Sequence, residues 1–102
     1  MKLAALLETL PEVQTTGKIP DSIQALEYDS RRVAPDSLFI ALRGAKVDGH
    51  KFAAQAAQRG AVAVVAEESL DLPESCALLR VPDSRAAMAD LVAAFYGQPA
   101  RQ

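Results

Sequence analysis

Two short polar segments carry the residue types in this chain that could do chemistry. The first is Asp29-Ser30-Arg31-Arg32, set between the apolar residues that precede Tyr28 and those that follow from Val33. The second is Gly44-Ala45-Lys46-Val47-Asp48-Gly49-His50. Ser30 offers a hydroxyl that both donates and accepts, and Arg31, Arg32 and Lys46 offer cationic donors suited to phosphate. Gly44 and Gly49 let backbone N–H and C=O groups approach a flat ring closely. That is the chemistry of recognition, and it suits a nucleotide or a nucleotide-sugar. The same residues also have a structural reading. Asp29 can cap the corner through its own side chain with Arg31 paired to it, and His50 can simply open the helix that follows. On residue types alone the structural reading leads, because charged loops mark sites only statistically.

Other chemistries find less support. The chain has no G-x-x-x-x-G-K-[ST] phosphate loop and no G-x-G-x-x-G turn. No Ser/His/Asp set sits on a recognisable elbow. Glu67-Glu68 could be an acid–base pair, but adjacent acids on a loop usually repel each other and stay solvated. Cys76 abuts the apolar run Ala77–Val81, and the chain's single His is remote from it, so it reads as a small hydrophobe at a strand edge and not as a nucleophile. One Cys and one His offer no metal-ligand spacing. No catalytic or metal-binding residue is therefore expected.

The elements that hold the two segments follow from composition and pattern. The 102 residues suit one compact domain. Hydrophobic residues make up 50% and charged residues 24%, the profile of a folded chain. Aromatics are 5% and Trp is absent, so the core must be built from Ala, Leu and Val. The net charge of -2 carries no clustered basic excess, which argues against nucleic acid as a partner. One cysteine precludes an internal disulfide, and with no leader-like segment the expected setting is cytoplasmic. No apolar run approaches the roughly 20 residues of a membrane span, so no membrane partner is expected.

Leu3, Leu6, Leu7 and Leu10 recur at helical spacing and Pro11 stops them, predicting a short helix over residues 2–10. Residues 15–21 read as loop, and Ile23 to Tyr28 as a first strand. "LFIAL" (Leu38 to Leu42) and "AVAVVA" (Ala61 to Ala66) are continuous apolar runs between breakers, which predicts strands buried on both faces. Phe52, Ala53, Ala56 and Ala57 mark the inner face of a helix between them, ending at Gly60 with Arg59 near its negative end. "ALLRV" (Ala77 to Val81) is a fourth strand. Asp83 or Ser84 caps a last helix whose inner stripe is Met88, Leu91, Val92 and Phe95, ending at Gly97 and Pro99. The order is helix-strand-strand-helix-strand-strand-helix: an α/β fold in one compact domain, with an about four-stranded sheet and helices packed on it. The unit from Leu38 to Ala66 should be parallel and right-handed. If the first two strands are also parallel, both polar segments leave the same sheet edge, where such sheets bind ligands.

The spacing of these pieces resembles the amino-terminal domain of the Mur ligases of peptidoglycan synthesis. The resemblance runs from Tyr28 to Ala100. It is carried by "DSRRVAPDSLFIALRGAKVDGHKFAAQAAQRGAVAVVAEE" and continued by "VPDSRAAMADLVAAFYGQPA". The family pattern is an Asp-Ser-Arg turn, a Pro-Gly-Asp-Leu-Phe-like strand start, Gly, a short variable loop, Asp-Gly, and a helix closing on a Gly-Ala-Val-Ala strand. Within the family, the Asp-Ser-Arg turn and the Asp-Gly-His look most like the branch that adds the third amino acid, diaminopimelate or lysine. The branch adding D-alanyl-D-alanine is the alternative, and a non-catalytic interaction module of the same fold is another.

The resemblance implies that residues 1–102 form the domain that holds the UDP end of a UDP-N-acetylmuramoyl peptide. It implies substrate contacts from Tyr28, Ser30, Ala45, Lys46 and Val47, those from the last three through backbone groups. It implies a parent ligase using ATP and magnesium in a central domain, and a C-terminal domain, both beyond this chain. The fragment alone is then non-catalytic and needs no cofactor. "PDSL" stands where the family commonly has Pro-Gly-Asp-Leu, which puts the turn before the strand in question.

Overall fold

The computed structural model describes residues 2–10, 12–42 and 49–96. Its elements are α1 (Leu3–Leu7), β1 (Gln14–Thr16), β2 (Ala25–Glu27), β3 (Ser37–Ile40), α2 (Ala53–Gln58), β4 (Ala61–Ala66), β5 (Ala77–Arg80) and α3 (Ser84–Tyr96), with 3-10 turns at Ser30–Arg32 and Gly49–Phe52. The strands form one five-stranded sheet in the order β1-β5-β4-β3-β2. β2, β3, β4 and β5 are mutually parallel, and β1 runs antiparallel to β5.

Helices and connections cover both sheet faces, so the central strands are buried throughout. Leu38 and Ile40 point into one cluster, with Leu3, Leu6, Leu79 and Leu91 from α1, β5 and α3. Phe39 and Ala41 point into the other, with Val33, Ala53 and Ala56 from the β2–β3 connection and α2. Side chains of successive strand residues alternate between faces, so the unbroken apolar run in β3 serves two cores at once. β4 alternates likewise except at its start. Ser37 pairs with Ala61 but Leu38 pairs with Ala63, leaving Val62 as the extra residue of a bulge. Alanines at 53 and 56 let α2 lie close to the sheet, which suits a chain short of large side chains.

The strand count exceeds the sequence-based expectation by one. β1 is three exposed residues, Gln14-Thr15-Thr16, and an edge strand with no buried face shows no apolar alternation to read. It is held by its pairing with Leu78, Leu79 and Arg80. Two helical stripes also differ from expectation. In α3 the fully buried positions are Ser84, Ala87 and Leu91, with Met88 and Phe95 half-buried and Val92 exposed. In α2 only Ala53 and Ala56 are buried, and Phe52 stands partly in solvent.

The helix caps follow their sequence signals. The Asp83 carboxylate accepts from the backbone N–H of Arg85 at 3.0 Å and of Ala86 at 3.2 Å, the expected N-cap of α3. A second carboxylate joins it. Glu67, at the end of β4, accepts from the Ser84 N–H at 2.8 Å. Glu67 is thus a capping group for a helix 17 residues further on and more than a solvated loop acid. Cys76 is buried beside β5, its thiol donates weakly to the Ala77 carbonyl at 3.9 Å, and burial pushes it up to about 11. It packs as a hydrophobe, as its sequence context indicated.

The turn before β3 keeps its shape with unusual residues. Asp36 has φ 65°, in the left-handed region that favours glycine. It stands where the family pattern has Gly. Its backbone ties three segments together: its carbonyl accepts from Gln24 N–H at 2.7 Å, and its own N–H donates to the Gly60 carbonyl at 3.0 Å. The buried Ser37 hydroxyl accepts from the Ala34 N–H at 3.3 Å and closes the turn from inside. The "PDSL" departure therefore changes the residues without removing the turn.

Candidate functional site

The parallel pairing of β2 with β3 decides where the first polar segment lies relative to the second. Leu26 pairs with Leu38 and Glu27 with Phe39, so both strands end at one edge of the sheet. The Asp29–Arg32 corner leaves β2 at that edge, and the chain that runs on to residues 43–48 leaves β3 beside it. Ala45, Lys46 and Val47 lie outside the described residues.

The corner is a 3-10 turn built by its own side chains. The Asp29 carboxylate accepts from the Arg31 backbone N–H at 3.0 Å, and also takes Nε at 3.1 Å and Nη2 at 3.0 Å from the same residue. One acid thus caps the turn and grips the guanidinium in a two-pronged pair. The side-chain and backbone hydrogen bonds from Arg31 hold the Asp29 carboxyl below the usual carboxylate value, and the pairing raises Arg31 in turn. The pair is exposed, so it shapes the corner more than it stabilises the domain. Arg31 has spent its planar fork on Asp29. That agrees with a supporting role in the turn.

Ser30 and Tyr28 occupy opposite extremes of exposure. Tyr28 is 67% exposed at the end of β2. Ser30 is 7% exposed, turned toward α2, and its hydroxyl donates to the Gln55 Oε1 at 3.5 Å, the long end of hydrogen-bonding range. Val33 follows into the core against Ala53 and Ala56. The corner and α2 are therefore one packed unit, and Gln55 is a member that the sequence pattern did not mark. A polar residue one position from the alanine seam was its only signal.

The same sheet edge has a second feature at its far flank. A cleft of about 200 Å³ lies at the ends of β4, β5 and β1, lined by Glu12, Gln14, Glu67, Arg80 and Pro82 among others. None of its lining residues belongs to the corner. Its charges are mixed, and Glu67 there is engaged with α3. Among the described residues no group of three His, Cys, Asp or Glu side chains is placed to hold a metal, and no helix is long and apolar enough to cross a membrane.

Comparison with known proteins fits this geometry. Residues 22–96 match the family described as "Mur ligase family, catalytic domain". The chain is 55% identical, over 97% of its length, to the UDP-N-acetylmuramoyl-L-alanyl-D-glutamate--2,6-diaminopimelate ligase of Geobacillus thermodenitrificans, of which it covers 20%. It is 46% identical, over 99% of its length, to the ligase of the same name from Syntrophomonas wolfei, of which it covers 21%. Among solved structures, a MurF from Acinetobacter baumannii superimposes with a TM-score of 0.82 at 29% identity, covering 97% of this chain and 21% of that one. The chain thus spans about a fifth of the length of the curated relatives it matches. With its mostly parallel sheet, its Asp-Ser-Arg corner and a match over most of its length, the chain belongs to the Mur ligase family.

Proposed function

We propose that this chain is the UDP-recognition domain of a cytoplasmic ligase of peptidoglycan synthesis. That ligase adds the third amino acid, diaminopimelate or lysine, to UDP-N-acetylmuramoyl-L-alanyl-D-glutamate. The observation that carries the reading is the 55% identity, over nearly the whole chain, to a relative named for the diaminopimelate reaction. The D-alanyl-D-alanine-adding ligase is the second reading, favoured by the solved structures that superimpose on the chain. The identity to those structures, 29% and 28%, supports it less.

The chain's part in that reaction is to hold one end of a long substrate. Ser30, Tyr28 and the backbone of Ala45, Lys46 and Val47 take the uridine end. Binding there positions the reacting carboxylate for chemistry in the rest of the parent, so remote binding energy is spent on orientation. In the parent, ATP and magnesium would supply the activation of that carboxylate for attack by the incoming amine. The family resemblance assigns both groups to the rest of the parent, and this chain carries no phosphate loop in its sequence.

Titration of the chain with UDP, CDP and ATP, followed by backbone amide shifts, tests the reading. UDP should move residues 28–32 and those following β3, CDP should move them less, and ATP should not be hydrolysed. An equal response to UDP and CDP, or shifts confined to other surfaces, would sink it. Assay of the full-length parent with diaminopimelate, lysine and D-alanyl-D-alanine separates the two branches.

A further inference from the structure

We infer that Gln55 fixes the hydrogen-bonding direction of the Ser30 hydroxyl, so that the corner accepts a ring N–H and thereby prefers uracil over cytosine. This rests on the reading of the corner as a uridine site. It adds a positioning residue for which neither the family resemblance nor the corner's own sequence gives a role.

A serine hydroxyl has one proton and two lone pairs, so what it offers a ligand depends on where its proton goes. In water the rotor is free and the group can serve either partner. Ser30 is 7% exposed, and its described acceptor is the Gln55 Oε1 on α2. The corner's own acid is turned to a different partner. Both oxygens of Asp29 are occupied by Arg31, through its backbone N–H, Nε and Nη2. With its proton directed to Gln55, Ser30 presents lone pairs. Uracil carries a hydrogen at N3 and can donate to them, whereas cytosine carries a lone pair there and meets an acceptor with an acceptor.

Gln55 itself is exposed, and the packing of α2 on the sheet is done by Ala53 and Ala56. Its amide is not needed to cover the core. The 3.5 Å separation leaves room for the bond to shorten when a ligand N–H engages the hydroxyl and makes it a better donor.

The test measures dissociation constants of the chain for UDP, CDP and 3-methyluridine diphosphate, in wild type, Gln55→Leu and Gln55→Glu. Urea unfolding of each variant checks the fold. Wild type should prefer UDP to CDP by about tenfold or more, the order expected when a polar group is left facing an unsuitable partner, and should reject the N3-methylated ligand as it rejects CDP. In Gln55→Leu the Ser30 proton is released to rotate. The UDP to CDP ratio should fall toward one, chiefly because CDP gains. Gln55→Glu keeps an acceptor oxygen and should keep the preference. If Gln55→Leu weakens both ligands equally and preserves the ratio, Gln55 is mere support and the inference is overturned while the uridine site stands. If Gln55→Glu loses the preference, the amide donates to Ser30, and the inference is likewise overturned. If wild type binds neither nucleotide, or binds both equally, the uridine reading itself falls and takes the inference with it.

Discussion

Gly60 backs directly onto Pro35. A β-carbon built at Gly60 would stand 2.7 Å from the Pro35 Cα and 3.1 Å from its backbone nitrogen. Gly60 also has φ +112°, outside the range that L side chains adopt readily. The turn that ends α2 and the turn that begins β3 are thus locked back to back, and the Asp36 N–H to Gly60 carbonyl bond of 3.0 Å joins them.

Gly60→Ala should therefore be severely destabilising. Backbone strain of about 1–3 kcal/mol adds to an overpacking cost of about 1–3 kcal/mol, and neither neighbour is a side chain that can swing away. Gly17 supplies the control. It has φ +88°, but a β-carbon there meets only ordinary contacts at 3.6 Å. Gly17→Ala should show the backbone cost alone. Urea unfolding of both variants should rank Gly60→Ala well below Gly17→Ala, and equal midpoints would refute the steric part of the account.

Asp36 stores strain in the same turn. At φ 65° a non-glycine residue costs roughly 1 kcal/mol or more, less for Asp than for branched residues. Asp36→Gly removes that cost but gains unfolded-chain entropy, so it should be neutral or stabilising by up to about 1 kcal/mol. Asp36→Val should lose about 1–2 kcal/mol, because a β-branched side chain tolerates this region worst. Thermal unfolding reads both. A Gly variant less stable than wild type would mean that the Asp side chain holds the turn.

Much of this frame is legible in the sequence, and what is missed has a common cause. "LFIAL" and "AVAVVA" announce β3 and β4 because burial on both faces forbids polar residues, and Asp83 announces its cap because capping is local. The Asp29–Arg31 pairing is legible for the same reason, since the partners are two residues apart. β1 is not, because Gln14, Thr15 and Thr16 are all exposed and are held by backbone bonds to a strand sixty-odd residues later. The Gln55–Ser30 contact spans 25 residues and the Glu67–Ser84 cap spans 17, so neither leaves a mark in local spacing. Only the fold brings those partners together.

The Glu67 cap makes a prediction separable from that of Asp83. Glu67→Ala removes the acceptor of the Ser84 N–H and should cost about 1 kcal/mol, the usual worth of an N-terminal cap. Glu67→Gln keeps an acceptor oxygen but loses the charge at the positive helix end, and should cost roughly half that. Added salt should shrink the charge part of both deficits and leave the gap between Ala and Gln in place. A salt-independent Gln deficit would show that the charge itself contributes nothing at α3.

Acid should loosen the corner at a pH set by Arg31. The side-chain bonds from Arg31, and then its backbone N–H, lower the Asp29 carboxyl in the folded chain. A depressed carboxyl contributes stability that is fully present above the unfolded value of about 3.9. That contribution is lost as pH falls from there through the folded value, as the carboxylate takes up its proton. Following the Asp29 carboxyl carbon by NMR should give a midpoint below 3.9, with the Arg31 amide signal moving over the same range. In Arg31→Gln the midpoint should rise toward the ordinary value, though not fully, because the backbone N–H at position 31 still donates to Asp29. The corner should then open at higher pH. An Asp29 midpoint that does not move in Arg31→Gln would show that the guanidinium is not what holds the carboxyl down.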